Sequence, residues 1–427
     1  MCELDLPLKF AQKLYNEFAI RHPNAFYLRT RQRGMQNWDG KIHYITKTGQ
    51  FKIGLLPKVY DMCIEMGIKP KVVDMRQPLP KVSKVVTNIG KYKLRPEQEK
   101  AVKAVINNKI GNTPFHIGVL DYTVNAGKTL IMSSLYLSYK KQLKTLLITN
   151  DSDWLNQARE EFKQYLPGED ITFVQGKVLN WSNFTIGMVQ SISRNMRFYQ
   201  KELSQIDMVL VDEADQGGSK QYQNVITRLF NTRIRIGLSG TIYMSKLAKD
   251  KVKNMNLECF FGKVIAEFKL KDSIKKGYST KTIVKMVPGK PWYGNWESDC
   301  ISYKEIYDDS ITENNTAWTM AYNRLRWNIN QGRYPALVVC KHIAHCENLY
   351  KFFKKKLGDA YNIAYVHVNT PSKLRQQIMK DFREGKIDIL VSTTIIARGK
   401  NFPKLKYLLN TASMDSQEKS IQFLGRL

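Results

Sequence analysis

Long apolar runs are missing from this chain, and Met1-Cys-Glu-Leu-Asp5 lacks the basic-then-apolar layout of a signal peptide. A membrane-spanning helix and an export leader are therefore not expected, and the sequence reads as a soluble cytoplasmic protein. Cysteine is scarce too: six in 427 residues, none in a C-x-x-C pair, which excludes a disulfide framework and fits reduced thiols. There is no internal repeat and no low-complexity tract. Acidic residues are the most telling shortage, with 38 Asp and Glu against 67 Lys and Arg and a net charge of +29. A chain this basic is drawn to polyanions through counterion release. A footprint of about six phosphates would lose roughly a thousandfold in affinity between about 50 and 200 mM salt. The alternative is a merely solubilising surface, but no run of five or more basic residues marks a disordered tail. An anionic membrane has no amphipathic helix to support it.

What is present fits a folded multidomain protein. A hydrophobic fraction of 43% and a charged fraction of 25% are ordinary for globular chains, and the length allows two or three domains. Residues 1–90 carry 15 basic and 7 acidic side chains and include Arg76-Gln-Pro-Leu-Pro-Lys81, whose alternate prolines favour extended backbone. A boundary is expected within 76–92, behind a small α+β module. From residue 92, short β-branched runs alternate with helix-period runs, which predicts a parallel sheet covered on both faces. The expected strands are Phe115–Leu120, Thr145–Thr149, Ile171–Val174, Thr185–Val189, Asp207–Val211 and Arg235–Ser239, with helices near 128–140, 153–165 and 219–230. A polar, aromatic segment at 287–310 precedes a second set of strands: Ala336–Cys340, Ile363–His367, Ile387–Val391 and Lys406–Leu409. Helices near 344–356 and 372–384 lie between them. The expected domains are 1–90, 91–285 and 286–427. Two α/β units in tandem offer a cleft where ligands of open sheets bind.

The strongest local signal is Asp121-Tyr-Thr-Val-Asn-Ala-Gly-Lys-Thr129, set between a strand and a helix-period run. A P-loop demands that context. The amides of Asn125, Ala126 and Gly127 and the start of the new helix would face phosphate oxygens. Lys128 would reach the β- and γ-phosphates, and the Thr129 hydroxyl would ligate Mg²⁺. Tyr122 stands where the first glycine of the consensus would be, so A-G-K-T alone is weak and could be an ordinary helix start. Met208-Val-Leu-Val-Asp-Glu-Ala-Asp215 strengthens it, because an apolar strand ending in carboxylates is the expected partner. On a neighbouring strand, Asp212 would hold Mg²⁺ and Glu213 would polarise the attacking water. The plain alternative is an acidic helix start.

These residues resemble superfamily 2 helicases over most of 92–427. Leu94-Arg-Pro-Glu-Gln98 resembles the adenine-reading Q motif, Asp121–Thr129 motif I, Asp212–Asp215 motif II and Leu238-Ser-Gly-Thr241 motif III. Val391-Ser-Thr-Thr-Ile-Ile-Ala-Arg-Gly399 with Asn401-Phe-Pro403 resembles motif V, and Gln422-Phe-Leu-Gly-Arg426 motif VI. Motif III of DEAD-box RNA helicases reads Ser-Ala-Thr, whereas Ser239-Gly-Thr241 stands here. Asn37-Trp-Asp-Gly-Lys-Ile-His43, Phe51-Lys-Ile-Gly-Leu-Leu-Pro57 and Val339-Cys-Lys-His-Ile-Ala-His-Cys346 are similar to UvsW-type phage helicases.

The resemblance implies two RecA-like domains, ATP and Mg²⁺ as cofactors, and DNA branch migration, fork regression or annealing in phage recombination, within the host cytoplasm. Arg95 and Gln98 would read adenine, although Arg-Pro-Glu-Gln is also a plain helix start. Gly399 and Gln422 would contact the nucleotide and Arg426 its γ-phosphate. Ser239 and Thr241 would couple the nucleotide state to the second unit near Asp215, or close a strand as an ordinary turn. Arg29, Arg31, Arg33, Lys41, Gln190, Thr393 and Thr394 would bind nucleic acid. Trp38, among the N-terminal cations, reads more readily as a core residue than as a stacking ring. Cys340-Lys-His-Ile-Ala-His-Cys346 lacks a second ligand pair, so zinc is not expected.

Three departures stand out. Asn125 replaces a usual motif I glycine, motif V lacks its frequent Asp, and a second motif VI arginine would fall about three residues past Arg426, beyond Leu427. The last leads to the expectation of a truncated second RecA-like domain that binds ATP well and hydrolyses it poorly. Two other functions remain open: an RNA helicase of the same superfamily, and a nucleic-acid-binding ATP-site protein with little turnover.

Overall fold

A computed structural model describes residues 2–4, 7–31, 34–139, 142–176, 178–242, 248–281, 283–285, 302–394 and 402–412. The chain divides into two compact units, Met1–Tyr278 and Ser279–Leu427.

The sheet of the first unit runs in the order Val178–Leu179, Ile171–Gln175, Phe184–Met188, Thr145–Thr149, Met208–Asp212, Ile234–Ser239, Ile117–Tyr122, Val264–Phe268. Val178–Leu179 turns back antiparallel, and the other seven strands run parallel. The four central strands are buried along their whole length, as expected when helices cover both faces. Their side chains alternate between two cores: Val209 and Val211 enter one, Met208 and Leu210 the other.

The N-terminal segment contributes to the first of these cores through Leu14, Phe18, Ile45, Phe51, Leu55 and Val59. The contact is close enough to involve backbone, since a Cβ at Gly54 would overlap the carbonyl of Glu258 in the helix Ala248–Phe261. The proline-rich stretch lies extended along the same unit. Arg76 donates to the Thr232 carbonyl at 2.6 Å, Val86 N–H donates to Ser138 Oγ at 3.0 Å, and Ser134 Oγ donates to the Val86 carbonyl at 2.6 Å.

The second unit holds four parallel strands in the order Ile363–Val366, Ile389–Thr393, Ala336–Cys340, Tyr407–Asn410. The helices Asn315–Asn330, Ile343–Leu357 and Ser372–Glu384 accompany them.

Most expected strands appear within two residues of their predicted ends. Ile117–Tyr122 starts later than expected because Thr113–Pro114 pairs with Lys109–Ile110 in a separate hairpin, and Phe115 packs in a small satellite cluster. The helix expected at 219–230 is the shorter Lys220–Ile226. The edge strand Val264–Phe268 and the helix Ala248–Phe261 were not predicted. Among the described residues, no helix is long and apolar enough to cross a membrane.

Candidate nucleotide site

The motif I loop leaves the carboxyl end of Ile117–Tyr122 and enters the helix Lys128–Ser138. Two residues adopt left-handed backbone to make that turn, Asn125 at φ 63° and Gly127 at φ 74°. Asparagine is among the few side chains that tolerate this region, which explains how Asn125 stands in for a glycine. At Gly127 even a methyl group would be too large, because a Cβ would overlap Gln98 Nε2. Ahead of Leu130, whose N–H donates to the Gly127 carbonyl at 3.1 Å, the Lys128 and Thr129 amides have no acceptor within the helix, the arrangement that receives phosphate.

Gln98 is fully buried beneath this loop. Its Nε2 donates to the Ala126 carbonyl at 2.8 Å, and its Oε1 accepts the Arg95 N–H at 2.8 Å. Arg95 Nη2 donates to the Asn125 carbonyl at 3.4 Å and lies over the Tyr278 ring at 4.2 Å. The two residues thus brace the P-loop from below. One N–H and one lone pair of the Gln98 amide remain beyond these bonds.

The acid-bearing strand is not the direct neighbour of the P-loop strand, contrary to the sequence reading. Ile234–Ser239 lies between them, pairing Leu238 with Asp212 on one side and Ser239 with Asp121 on the other. Two strand spacings separate motifs I and II, roughly 10 Å. Lys128 spans that gap closely enough for its charge to act on Asp212.

Asp212 is 3% exposed, and its Oδ1 has no hydrogen-bond partner. Its carboxyl is pushed up to about 7, first by burial and then by the charges of Glu213 and Asp215, against the opposing pull of Lys128 and a hydrogen bond from the Glu213 backbone. A buried carboxyl oxygen free of hydrogen bonds has the chemistry to ligate a cation. Glu213, next in the chain, is half-buried at φ 51°, a strained conformation for a non-glycine residue of the kind that gathers at functional sites.

Asp215 ties motif II to motif III. Ser239 Oγ donates to Asp215 Oδ1 at 3.2 Å and accepts the Thr241 N–H at 3.2 Å. Between them, Gly240 presses on motif I: a Cβ there would meet Thr123 Cα at 2.9 Å and the Tyr122 carbonyl oxygen at 3.0 Å. The alanine of the DEAD-box motif therefore does not fit at this position. Sequence reasoning also missed Lys269, which follows the edge strand and ion-pairs with Asp121 at the start of motif I. Burial still raises the Asp121 carboxyl above its ordinary value, with Lys269 opposing.

In the N-terminal segment, Arg29, Arg31 and Lys41 are exposed. Arg31 lies over the Tyr27 ring at 4.7 Å, and Phe26 beside it is 79% exposed, an aromatic pair the sequence reading passed over. Trp38 is half-buried rather than a core residue. Its indole N–H donates to the Lys41 carbonyl at 2.9 Å and its ring meets His22 edge-on, so it fixes the 34–41 turn instead of filling a core. Gln190 follows the carboxyl end of Phe184–Met188; its Nε2 donates to the Asn150 carbonyl at 3.4 Å and its buried Oε1 has no partner. Thr393 ends the strand Ile389–Thr393 of the second unit, and Thr394 follows it. Arg33, Gly399, Gln422 and Arg426 lie outside the described residues. Cys340 and Cys346 are buried in the second core, where burial keeps the Cys340 thiol well above its ordinary value.

Comparison with known families agrees with this geometry. Residues 91–244 match the model of the type III restriction enzyme res subunit, and residues 321–427 match the helicase conserved C-terminal domain. The chain belongs to the superfamily 2 helicases. Among curated relatives of this helicase chain, the putative ATP-dependent helicase IRC3 of Saccharomyces cerevisiae is 22% identical over 78% of the chain and 49% of its own length. The chain spans about half the length, or less, of the curated relatives it matches. Among solved structures, Mss116p bound to single-stranded RNA and AMP-PNP aligns over 82% of this chain and 74% of its own, with 16% identity and TM-score 0.57. Phage T4 UvsW aligns over 99% and 84% with 19% identity and TM-score 0.49. The likeness to Mss116p supports the tandem RecA-like fold.

Magnesium nucleotide fits the residues of the first unit. Asp212 offers an idle buried oxygen, Lys128 offers charge, and the Asn125–Gly127 turn leaves room only for backbone.

Proposed function

We propose that this helicase-family chain is a nucleic-acid-stimulated ATPase that moves on DNA and remodels branched intermediates. One observation supports the reading above the others: the buried Asp212 carboxyl keeps an Oδ1 free of hydrogen bonds within reach of the Lys128 charge, at the carboxyl edge of a parallel sheet. Lys128 and the first helix amides would take the β- and γ-phosphates, while Thr129 and Asp212 would hold Mg²⁺. Bound Mg²⁺-ATP supplies a screened phosphoanhydride whose cleavage releases free energy. Glu213 accepts a proton from the attacking water and orients it. Arg95 and Gln98 hold the loop at its set height and flank the base. By the helicase resemblance, Gly399, Gln422 and Arg426 of motifs V and VI would add contacts to the nucleotide, Arg426 to its γ-phosphate.

Ser239 and Thr241 pass a displacement of Asp215 to the motif I loop, because Gly240 touches that loop directly. Arg29, Arg31, Arg33 and Lys41 neutralise phosphates, with Gln190, Thr393 and Thr394 as further contacts on the two RecA-like units. Residues 1–90 serve as the DNA-binding region, in line with their basic excess.

The test is ATP hydrolysis by wild type and Lys128→Ala with a four-way DNA junction, single-stranded DNA and RNA. Junction DNA should stimulate the wild type most. The variant should lose on the order of 10²-fold or more in turnover while keeping salt-sensitive DNA binding. Full turnover in the variant would refute the assigned site. Stimulation by RNA alone would replace DNA by RNA as the substrate, a reading favoured by the RNA-bound fold relative.

A further inference from the structure

The first unit contains a built cavity that the nucleotide chemistry does not use. It has a volume of about 630 Å³ and lies between the N-terminal segment and the sheet. Its walls are mainly apolar, with Phe51, Val59, Phe115, Leu229 and Phe260 among them, and charged side chains complete the lining. Three of the chain's exposed large hydrophobics stand around it: Val73 at 64%, Met75 at 90% and Phe230 at 66% exposure. Apolar side chains left in water around an apolar chamber mark a surface that something covers.

Arg235 also lines this cavity. It is the second residue of Ile234–Ser239 and so sits at the amino end of the sheet, away from the P-loop edge. The side chain is 8% exposed, its Nη1 donates to the Phe260 carbonyl at a long 3.4 Å, and its Nε has no partner. Among the described residues no carboxylate pairs with it. Asp74 is taken by Arg76 at 2.6 Å, and Glu3 on the cavity wall forms no ion pair with Arg235. Burial and the neighbouring Arg76 both lower the proton affinity of this guanidinium. A buried cation with no anion is costly, and an incoming carboxylate relieves that cost.

We propose that this cavity receives the free carboxyl terminus of an acidic partner protein, whose last apolar side chain fills the chamber and whose α-carboxylate pairs with Arg235. A chain end suits the space because it brings a carboxylate and an apolar side chain through one opening on a single strand of backbone. An internal loop would have to bury two strands and their amides. The exposed apolar rim extends the contact beyond the chamber, and the net charge of +29 favours an acidic sequence leading into it. The site is independent of the nucleotide reading, since none of its residues belongs to motifs I to III.

Fluorescence anisotropy with labelled hexapeptides of the form Asp-Glu-Asp-Ser-Leu-X tests this, with X as Phe, Leu or Ile and the terminus free or amidated. At least one free-acid peptide should bind the full chain, and amidation should weaken it at least tenfold. Arg235→Met should weaken it by a similar factor while the unliganded protein melts at or above the wild-type temperature. Leu56→Trp narrows the chamber without touching the charge, and should also weaken the peptide at least tenfold. Equal binding of free and amidated peptides, full binding by both variants, or no binding of any peptide would overturn the proposal. Binding of decanoate but of no peptide would also overturn it, assigning the cavity to a small amphiphile.

Discussion

Asp212 allows the electrostatics of the nucleotide site to be tested without any substrate. Its carboxyl ionises near 3.8 in an unfolded chain and is pushed up to about 7 in the fold, chiefly by burial. The folded state therefore holds this proton more tightly than the unfolded state does. The resulting stability is complete below pH 4, is lost progressively as pH rises, and is gone above pH 7. That difference corresponds to on the order of 4 kcal/mol as an upper bound. Asp212→Asn removes the charge and keeps the shape, although its amide also lacks a ready partner. A realised gain of about 2 kcal/mol would raise the melting temperature of the first unit by about 4–8 °C at pH 8.

The assay is thermal unfolding of wild type and Asp212→Asn in chelator at pH 5, 6, 7 and 8, repeated with Mg²⁺ and ATP. In chelator the variant should melt higher, with a margin that widens as pH rises. With Mg²⁺ and ATP the wild type should gain stability that the variant does not, so the margin should shrink or reverse. A margin constant across this pH range would refute the argument, because it would show that the carboxylate carries no uncompensated charge in the fold.

Two further substitutions probe the contacts around it. Gly240→Ala places a methyl group 2.9 Å from Thr123 Cα and 3.0 Å from the Tyr122 oxygen, and both obstacles are backbone. A stability loss of about 1–3 kcal/mol and a raised KM for ATP are expected by calorimetry and steady-state hydrolysis; wild-type values would show that the motif I loop moves freely away from motif III. Gln98→Glu sets an oxygen against the Ala126 carbonyl where Nε2 now donates. It should cost about 1–3 kcal/mol and weaken ATP binding, and an unchanged melting curve would show that the loop does not depend on this brace.

The central strands were legible in the sequence because buried parallel strands read as continuous apolar runs, and Thr145–Thr149 and Ala336–Cys340 fall where they were expected. Val264–Phe268 was not legible. It is an edge strand only partly buried, and the helix before it carries apolar side chains without a clear stripe. The P-loop and the acidic strand end could be located from their residue patterns, and the Ser-Gly-Thr turn from the helicase resemblance. Their mutual arrangement could not, since strand order is a tertiary property and the sequence does not reveal which strand lies between two others. Lys269 escaped notice for the same reason: 148 positions separate it from Asp121, and strand pairing alone brings the two together.

That strand order also gives the motifs a mechanical relation. Because Ile234–Ser239 separates the acidic strand from the P-loop strand, the end of motif III is held on one side by Asp215 and on the other by the first residues of the motif I loop. Ser239 supplies the polar contact, while Gly240 supplies a backbone contact with no side chain to absorb movement. Close-packed interiors transmit small shifts rather than damping them. On the proposed reading, a movement of Asp215 as the nucleotide's charge changes would be passed through Ser239 to the Ser-Gly-Thr turn, which lies against Tyr122 and Thr123. The glycine that departs from the DEAD-box spelling is thus the residue whose absent side chain lets motifs I and III touch.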